Sequence, residues 1–220
     1  MTITTIVKPY ADDQGNKIIG TAKEAVSTKI IFNGKNCTLE IGEGVKLRET
    51  IIRFDAHDAT IHIGDNSQFR GTIRVGIGCA VHIGRSLTVT EKCYISAAER
   101  TNVIIGDDCM FASFNQIRTD DAHPIYDLNT RNRVNKSQSI KIGNHVWLGY
   151  NAVALSGSSI GSGSVVAFGS IVTSNIQENS ICAGVPARVV RTDIAWERTH
   201  LNLTPPYEFD EPLWPLADFR

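Results

Sequence analysis

No Asp, Glu, Lys or Arg occurs between Lys141 and Glu178. Such a gap is long enough to span a bilayer, for which about 20 apolar residues suffice. It is no membrane helix, because Ser156-Gly157-Ser158-Ser159 and Gly161-Ser162-Gly163-Ser164 fill it with polar, helix-weak residues. Basic charge is not in excess either. The 22 Lys+Arg nearly cancel the 23 Asp+Glu, leaving a net charge of -1, which argues against a dedicated nucleic-acid binder. Residues 1–15 lack the apolar core that a secretory signal needs. The five cysteines form no CxxC pair, so a reducing cytoplasm is expected rather than a disulfide framework. What remains is a chain of 220 residues, 42% hydrophobic and 20% charged. That is enough to bury a core in one large domain or two small ones, and it is not the composition of a disordered chain.

An aliphatic-Gly pair recurs at Ile41-Gly42, Ile63-Gly64, Ile83-Gly84, Ile105-Gly106, Ile142-Gly143 and Ile160-Gly161, with steps of 22, 20, 22, 37 and 18 residues. The last step is three hexapeptides. From Ile142 the chain tiles in sixes through Leu148, Ala154, Ile160, Val166, Val172 and Glu178. A period of six is neither that of a helix nor that of a plain alternating strand, and it suits a strand-turn unit wound into a three-faced solenoid. The first residue of each hexad points inward and the fifth fills the corner. Gly at the second position leaves room for a tight backbone path. Cys79, Cys93, Cys109 and Cys182 fall at the fifth position in this tiling, which makes them small buried hydrophobes rather than catalytic thiols.

The step of 37 residues breaks the pattern. One ordinary coil accounts for 18 of them, and about 19 must leave the solenoid as a loop between about Arg118 and Ser139. The loop holds Asp120, Asp121, His123, Pro124, Tyr126 and Asp127, followed by Arg131, Arg133 and Lys136. His123 is the candidate base. An imidazole can accept a proton from a hydroxyl, and the following proline biases the His123 backbone towards an extended conformation. Asp120, Asp121 or Asp127 could orient its ring, as could a backbone carbonyl. The loop cations could attract an acidic glycan.

Three segments carry a resemblance: Asp121-Ala-His-Pro-Ile-Tyr-Asp127, Ile140-Lys-Ile-Gly-Asn-His-Val-Trp-Leu-Gly149 and Ala183-Gly-Val-Pro-Ala-Arg-Val-Val-Arg191. Over roughly Ile41 to Arg191 the chain resembles the hexapeptide-repeat acyltransferases, and within them the bacterial polysaccharide O-acetyltransferases of the sialic-acid capsule type. The resemblance implies a left-handed parallel β-helix, a homotrimer, and acetyl transfer from acetyl-CoA to a glycan hydroxyl. It implies that His123 is the catalytic base and that Trp147 lines the active site. The CoA contacts it implies are Tyr150, Phe168, Thr173, Ser174, Arg188 and Arg191, with Ser174 departing from the Lys of many relatives. Asp121, Tyr126, Arg131 and Arg133 are the candidate acceptor contacts.

The expected organisation is an N-terminal β segment over 1–40, the solenoid over 41–190, and a short helix with a Pro- and aromatic-rich tail over 191–220. N-acetylation of a nucleotide-linked amino sugar is the nearest alternative activity. A metal-dependent lyase of the γ-carbonic anhydrase kind would draw on His57, His62 and His82. However, His62 and His82 each precede an Ile-Gly pair, so a stacked exterior pair accounts for them without metal. No metal site is expected.

Overall fold

The computed structural model describes residues 2–205 and 207–212. These residues build a parallel β-solenoid of about seven turns with no helix, consistent with a left-handed β-helix. Its first face is a nine-stranded ladder, and the other two faces form one 15-stranded sheet bent around a corner. The bend is continuous because strands Lys46–Phe54 and Gln68–Val75 run through it unbroken.

The Ile-Gly repeat explains the first face directly. Ile41, Ile63, Ile83, Ile105, Ile142, Ile160 and Ile176 pair in register as one column, and all are buried. Burying each such side chain stabilises the fold by roughly 1.5–3 kcal/mol, so the column supplies a core without helices. The glycine after each Ile of the column except Ile176 is required by the coil beyond it. A Cβ on Gly143 would lie 2.5 Å from Ser162 Oγ and 2.6 Å from the Ser162 backbone nitrogen. Between these coils Gly106 N–H donates to Ile142 O at 2.9 Å and Gly143 N–H to Ile160 O at 2.8 Å. Side chains of the turns continue the ladder: Asp107 N–H donates to Asn144 Oδ1, and Asn144 N–H to Ser162 Oγ.

The parallel register reaches back beyond Ile41. Lys17–Ile19 pairs with Thr38–Ile41, and Lys29–Phe32 with Lys46–Phe54. Thr2–Thr4 then covers the open edge of Lys29–Phe32 as an antiparallel strand, which blocks further strand addition there. At the opposite end Ala187–Arg191 folds back antiparallel on Ile181–Gly184.

Two expectations are corrected. Cys182 is not at a corner: it pairs with Val166 in the wall of the second face. The reason is a turn between Val172 and Ile176 that is two residues shorter than the hexad, so that Ile176 stacks on Ile160 and everything after it shifts by two. Cys79, Cys93 and Cys109 are buried as expected, and none of the five cysteines is in a disulfide. Burial pushes the Cys109 thiol up to about 12 and that of Cys182 to about 11, which makes them poor nucleophiles.

The C-terminal helix is also absent among the described residues. Trp196 and Arg198 instead pin the chain in an irregular path along the corner between the first and second faces. Ile194 N–H donates to Asn179 O there, and Arg198 reaches Asp108, Thr88, Ser86 O and Cys109 O. The tail aromatics Trp214 and Phe219 lie outside the described residues. No helix of the described residues is long and apolar enough to cross a membrane.

Candidate functional site

The loop leaves the third face after strand Gln116–Arg118 and rejoins the first face at strand Ile140–Ile142. It is folded by its own polar groups. Tyr126 and Arg133 form an antiparallel bridge, and the Asp127 carboxylate accepts the N–H groups of Asn129 and Thr130. Asn135 is the hub: its Oδ1 accepts the Ile125 N–H at 2.7 Å, and its Nδ2 donates to His123 O at 2.9 Å and to Asp121 Oδ2 at 3.0 Å. One charged anchor ties the loop to the coil. Arg133 makes a two-pronged pair with Glu99, which also accepts Ser137 N–H at 3.0 Å and Ser137 Oγ at 2.7 Å. These donors, the Arg133 hydrogen bond foremost, hold the Glu99 carboxyl down at about 2.

His123 stands exposed on this braced loop. Its backbone is held by the Asn135 bond and by its own N–H, which donates to Asp121 O at 2.8 Å. Among the described residues none of the three candidate carboxylates bonds its ring. Asp120 accepts from Ser96 Oγ and the Ala122 N–H, Asp121 from Asn135, and Asp127 from its own turn. Arg131 and Lys136 are exposed, whereas Arg133 is committed to Glu99. Tyr126 is exposed at the bridge.

Trp147 lies on the second face, between Met110 and Val165 in register, with its indole partly exposed. The loop leaves the solenoid at the corner between the third and first faces, so a single chain does not bring His123 and Trp147 onto one face. The neighbour of Trp147 is one that sequence reasoning missed. Trp196 of the tail sits with its ring 5.9 Å from that of Trp147 and stacks on His145 at 4.0 Å. Trp196 Nε1 donates to His145 O at 3.0 Å, while His145 Nε2 lies 3.0 Å from Trp196 O and Nδ1 lies 2.6 Å from Asp108 Oδ2. The available signal was a lone aromatic between Thr192 and His200, a segment otherwise read as helix.

The residues assigned to CoA fall into three places. Tyr150 and Phe168 stack at 5.1 Å on the corner between the second and third faces, and Phe114 packs on Tyr150 at 5.3 Å. Thr173 and Ser174 are exposed in the shortened turn on the corner the loop also uses. Arg188 and Arg191 are exposed on the terminal antiparallel strand. His62 and His82 stack at 4.6 Å, with Glu40 3.2 Å from His62. His57 is elsewhere, accepting the Lys35 N–H with its Nδ1.

No protein-family model matches the chain. It is 34% identical over 144 residues to a polysialic acid O-acetyltransferase of Neisseria meningitidis, an alignment covering 63% of this chain and 65% of that protein. The chain therefore spans somewhat less than two thirds of that relative. It is 33% identical over 147 residues to the galactoside O-acetyltransferase of Escherichia coli K12, covering 67% of this chain and 69% of that one. Among solved structures, the polysialic acid O-acetyltransferase OatWY matches with a TM-score of 0.78 and 30% identity over 94% of this chain and 96% of its own.

Proposed function

The chain belongs to the hexapeptide-repeat acetyltransferases, and from that premise we propose that it moves an acetyl group from acetyl-CoA to a sugar hydroxyl of a bacterial surface polysaccharide. The observation that carries this reading is His123, presented at the loop that interrupts the repeat and braced from behind by Asn135 and Glu99.

His123 takes the proton of the acceptor hydroxyl as that oxygen attacks the thioester carbonyl; the C–O bond forms, and the tetrahedral intermediate collapses with CoA thiolate leaving. Backbone N–H groups near Trp147 hold the developing oxyanion. The proton on His123 then returns to the thiolate, so the step balances without a covalent acyl-enzyme. The buried cysteines offer no competing nucleophile, since burial raises their thiols.

Separation of His123 from Trp147 within one chain supports an assembly in which a second copy completes the site, and we take that assembly to be a homotrimer. Tyr150 and Phe168 present a flat stack for the pantetheine arm of CoA. Arg188 and Arg191 are placed to meet its phosphates. Five unpaired cysteines and the use of acetyl-CoA fit a cytoplasmic enzyme.

The test is His123→Ala. Thiol release from acetyl-CoA with a glycan acceptor should fall by about 10²–10⁴-fold, the usual worth of a positioned base, with assembly size by light scattering unchanged. Turnover within a few-fold of the parent would overturn the mechanism. A product acetylated only on nitrogen, read by mass shift and resistance to mild alkali, would overturn O-transfer.

A further inference from the structure

The loop cations were the natural candidates for an acidic acceptor, yet Arg133 is consumed by Glu99. Two other cations stand where a ligand would need them. Lys92, Tyr94, Phe114, Gln116, Arg118 and Asn151 line an open groove of about 320 Å³ on the third face. We propose that this groove binds a carboxylate-bearing sugar residue of the acceptor glycan, a role that rests on the acetyl-transfer reading above.

Lys92 Nζ sits 4.9 Å over the Phe114 ring and has no ion pair among the described residues. The Arg118 guanidinium lies 5.5 Å over the Tyr94 ring. Its Nε is shielded from solvent and has no hydrogen-bond partner among the described residues. The nearest carboxylate, Asp120, is 3.9 Å from Arg118 and already accepts from Ser96 Oγ and the Ala122 N–H. The next arginines along this face share a single carboxylate, because Asp55 pairs with both Arg53 and Arg74. Among the described residues the groove therefore holds one cation without an ion pair and a second whose Nε has no partner.

Lys92 and Phe114 occupy turn positions with φ of 51° and 64°, where the following coils place Asn151 and Gly169. Asn and Gly adopt that conformation readily, whereas Lys and Phe do so at a cost. Ser27 and Glu49 take the same conformation at this corner in earlier coils, so asparagine is the compatible replacement at position 92.

The chemistry matches an acidic sugar. Phe114 and Tyr94 offer ring faces to the apolar side of a pyranose, Lys92 and Arg118 offer charge-assisted donors to its carboxylate, and the amides of Gln116 and Asn151 suit hydroxyls. Position favours the acceptor over the acetyl donor. Arg118 is the last residue of the strand from which the loop departs, five residues before His123, so a chain lying in the groove leads toward the base.

The test uses the full-length protein with sialic-acid oligosaccharides and their carboxyl-reduced counterparts. Lys92→Asn relieves the backbone strain and so preserves the fold, and Arg118→Gln keeps a donor without the charge. Each should raise KM for the acidic oligosaccharide by about tenfold, the loss expected for one charge-assisted bond. The kcat at saturation and the KM for acetyl-CoA should stay within about twofold, and the carboxyl-reduced acceptor should show no such penalty. Equal penalties on both acceptors, or a shift in the KM for acetyl-CoA instead, would overturn the proposal. Binding measured by calorimetry without acetyl-CoA separates it from the catalytic reading. Parent protein that binds the acidic oligosaccharide more tightly than the variants, yet transfers nothing, supports the groove and sinks only the transferase. Transfer with unchanged variants sinks only the groove.

Discussion

The coils from Ile142 to Ile176 and the loop over 119–139 are neighbours held together by opposite means. In the coils, inward Ile, Leu and Val are buried and the strand backbone bonds run from coil to coil. No charge is needed, and between Lys141 and Glu178 none is present. The loop has no inward face. Its order comes from side chains reaching backbone groups, above all Asn135 at the hub and the Glu99–Arg133 pair at the base. Stability therefore resides in the repeat and chemistry in the part stripped of it, which is where a rigid scaffold can present reactive groups. It follows that damage to the coils should cost the fold, whereas damage to the loop should cost the rate.

The largest expected effect comes from the coil. Gly143→Val places a branched side chain against Ser162, whose backbone nitrogen already lies 2.6 Å from the first atom added. Overpacking of this kind costs about 3 kcal/mol or more where backbone cannot yield, and thermal unfolding should show it. Unchanged melting would mean that the coils part more easily than their hydrogen bonds indicate.

Glu99→Gln addresses the loop. Losing the charged anchor should lower kcat about tenfold while the melting temperature moves by no more than about 3 °C, because an exposed pair contributes little to global stability. A large melting shift would show that the loop helps to hold the solenoid. Since the Glu99 carboxyl is depressed to about 2, its contribution is complete above the ordinary carboxylate pKa and is lost as pH falls from there through about 2. The anchor should therefore add no pH dependence to the rate between pH 5 and 8.

The smallest effect is chemical silence. Thiol reagents should leave all five cysteines unmodified in the folded protein and label all of them in denaturant, as burial predicts. Rapid native labelling of Cys109 would mark a coil that opens.

How much of this was legible in the sequence differs by region. The Ile-Gly column was readable because a repeated hexad places equivalent residues on equivalent faces, and the excursion was readable as a break in that arithmetic. Cys182 was misplaced because a tiling by six cannot sense a turn cut to four between Val172 and Ile176. Which carboxylate faces His123 was left open. The structure commits Asp120 and Asp121 to Ser96 and Asn135, 24 and 14 residues away, and Asp127 to its own turn. The helix read into the tail does not form among the described residues because Trp196 and Arg198 find partners 51 and 90 residues back along the chain.

The sequence by itself determined the inward column, the glycines beside it, the absence of charge over two coils and the site of the excursion. All four follow from local periodicity, which needs no knowledge of distant residues. Tertiary structure alone decided that Arg133 is spent on Glu99, that Lys92 and Arg118 share a groove, that Trp196 stacks on His145, and that His123 and Trp147 lie on different sides of one chain. Those outcomes depend on which coil lies above which, and on side chains brought together across sequence separations such as 34 and 51 residues.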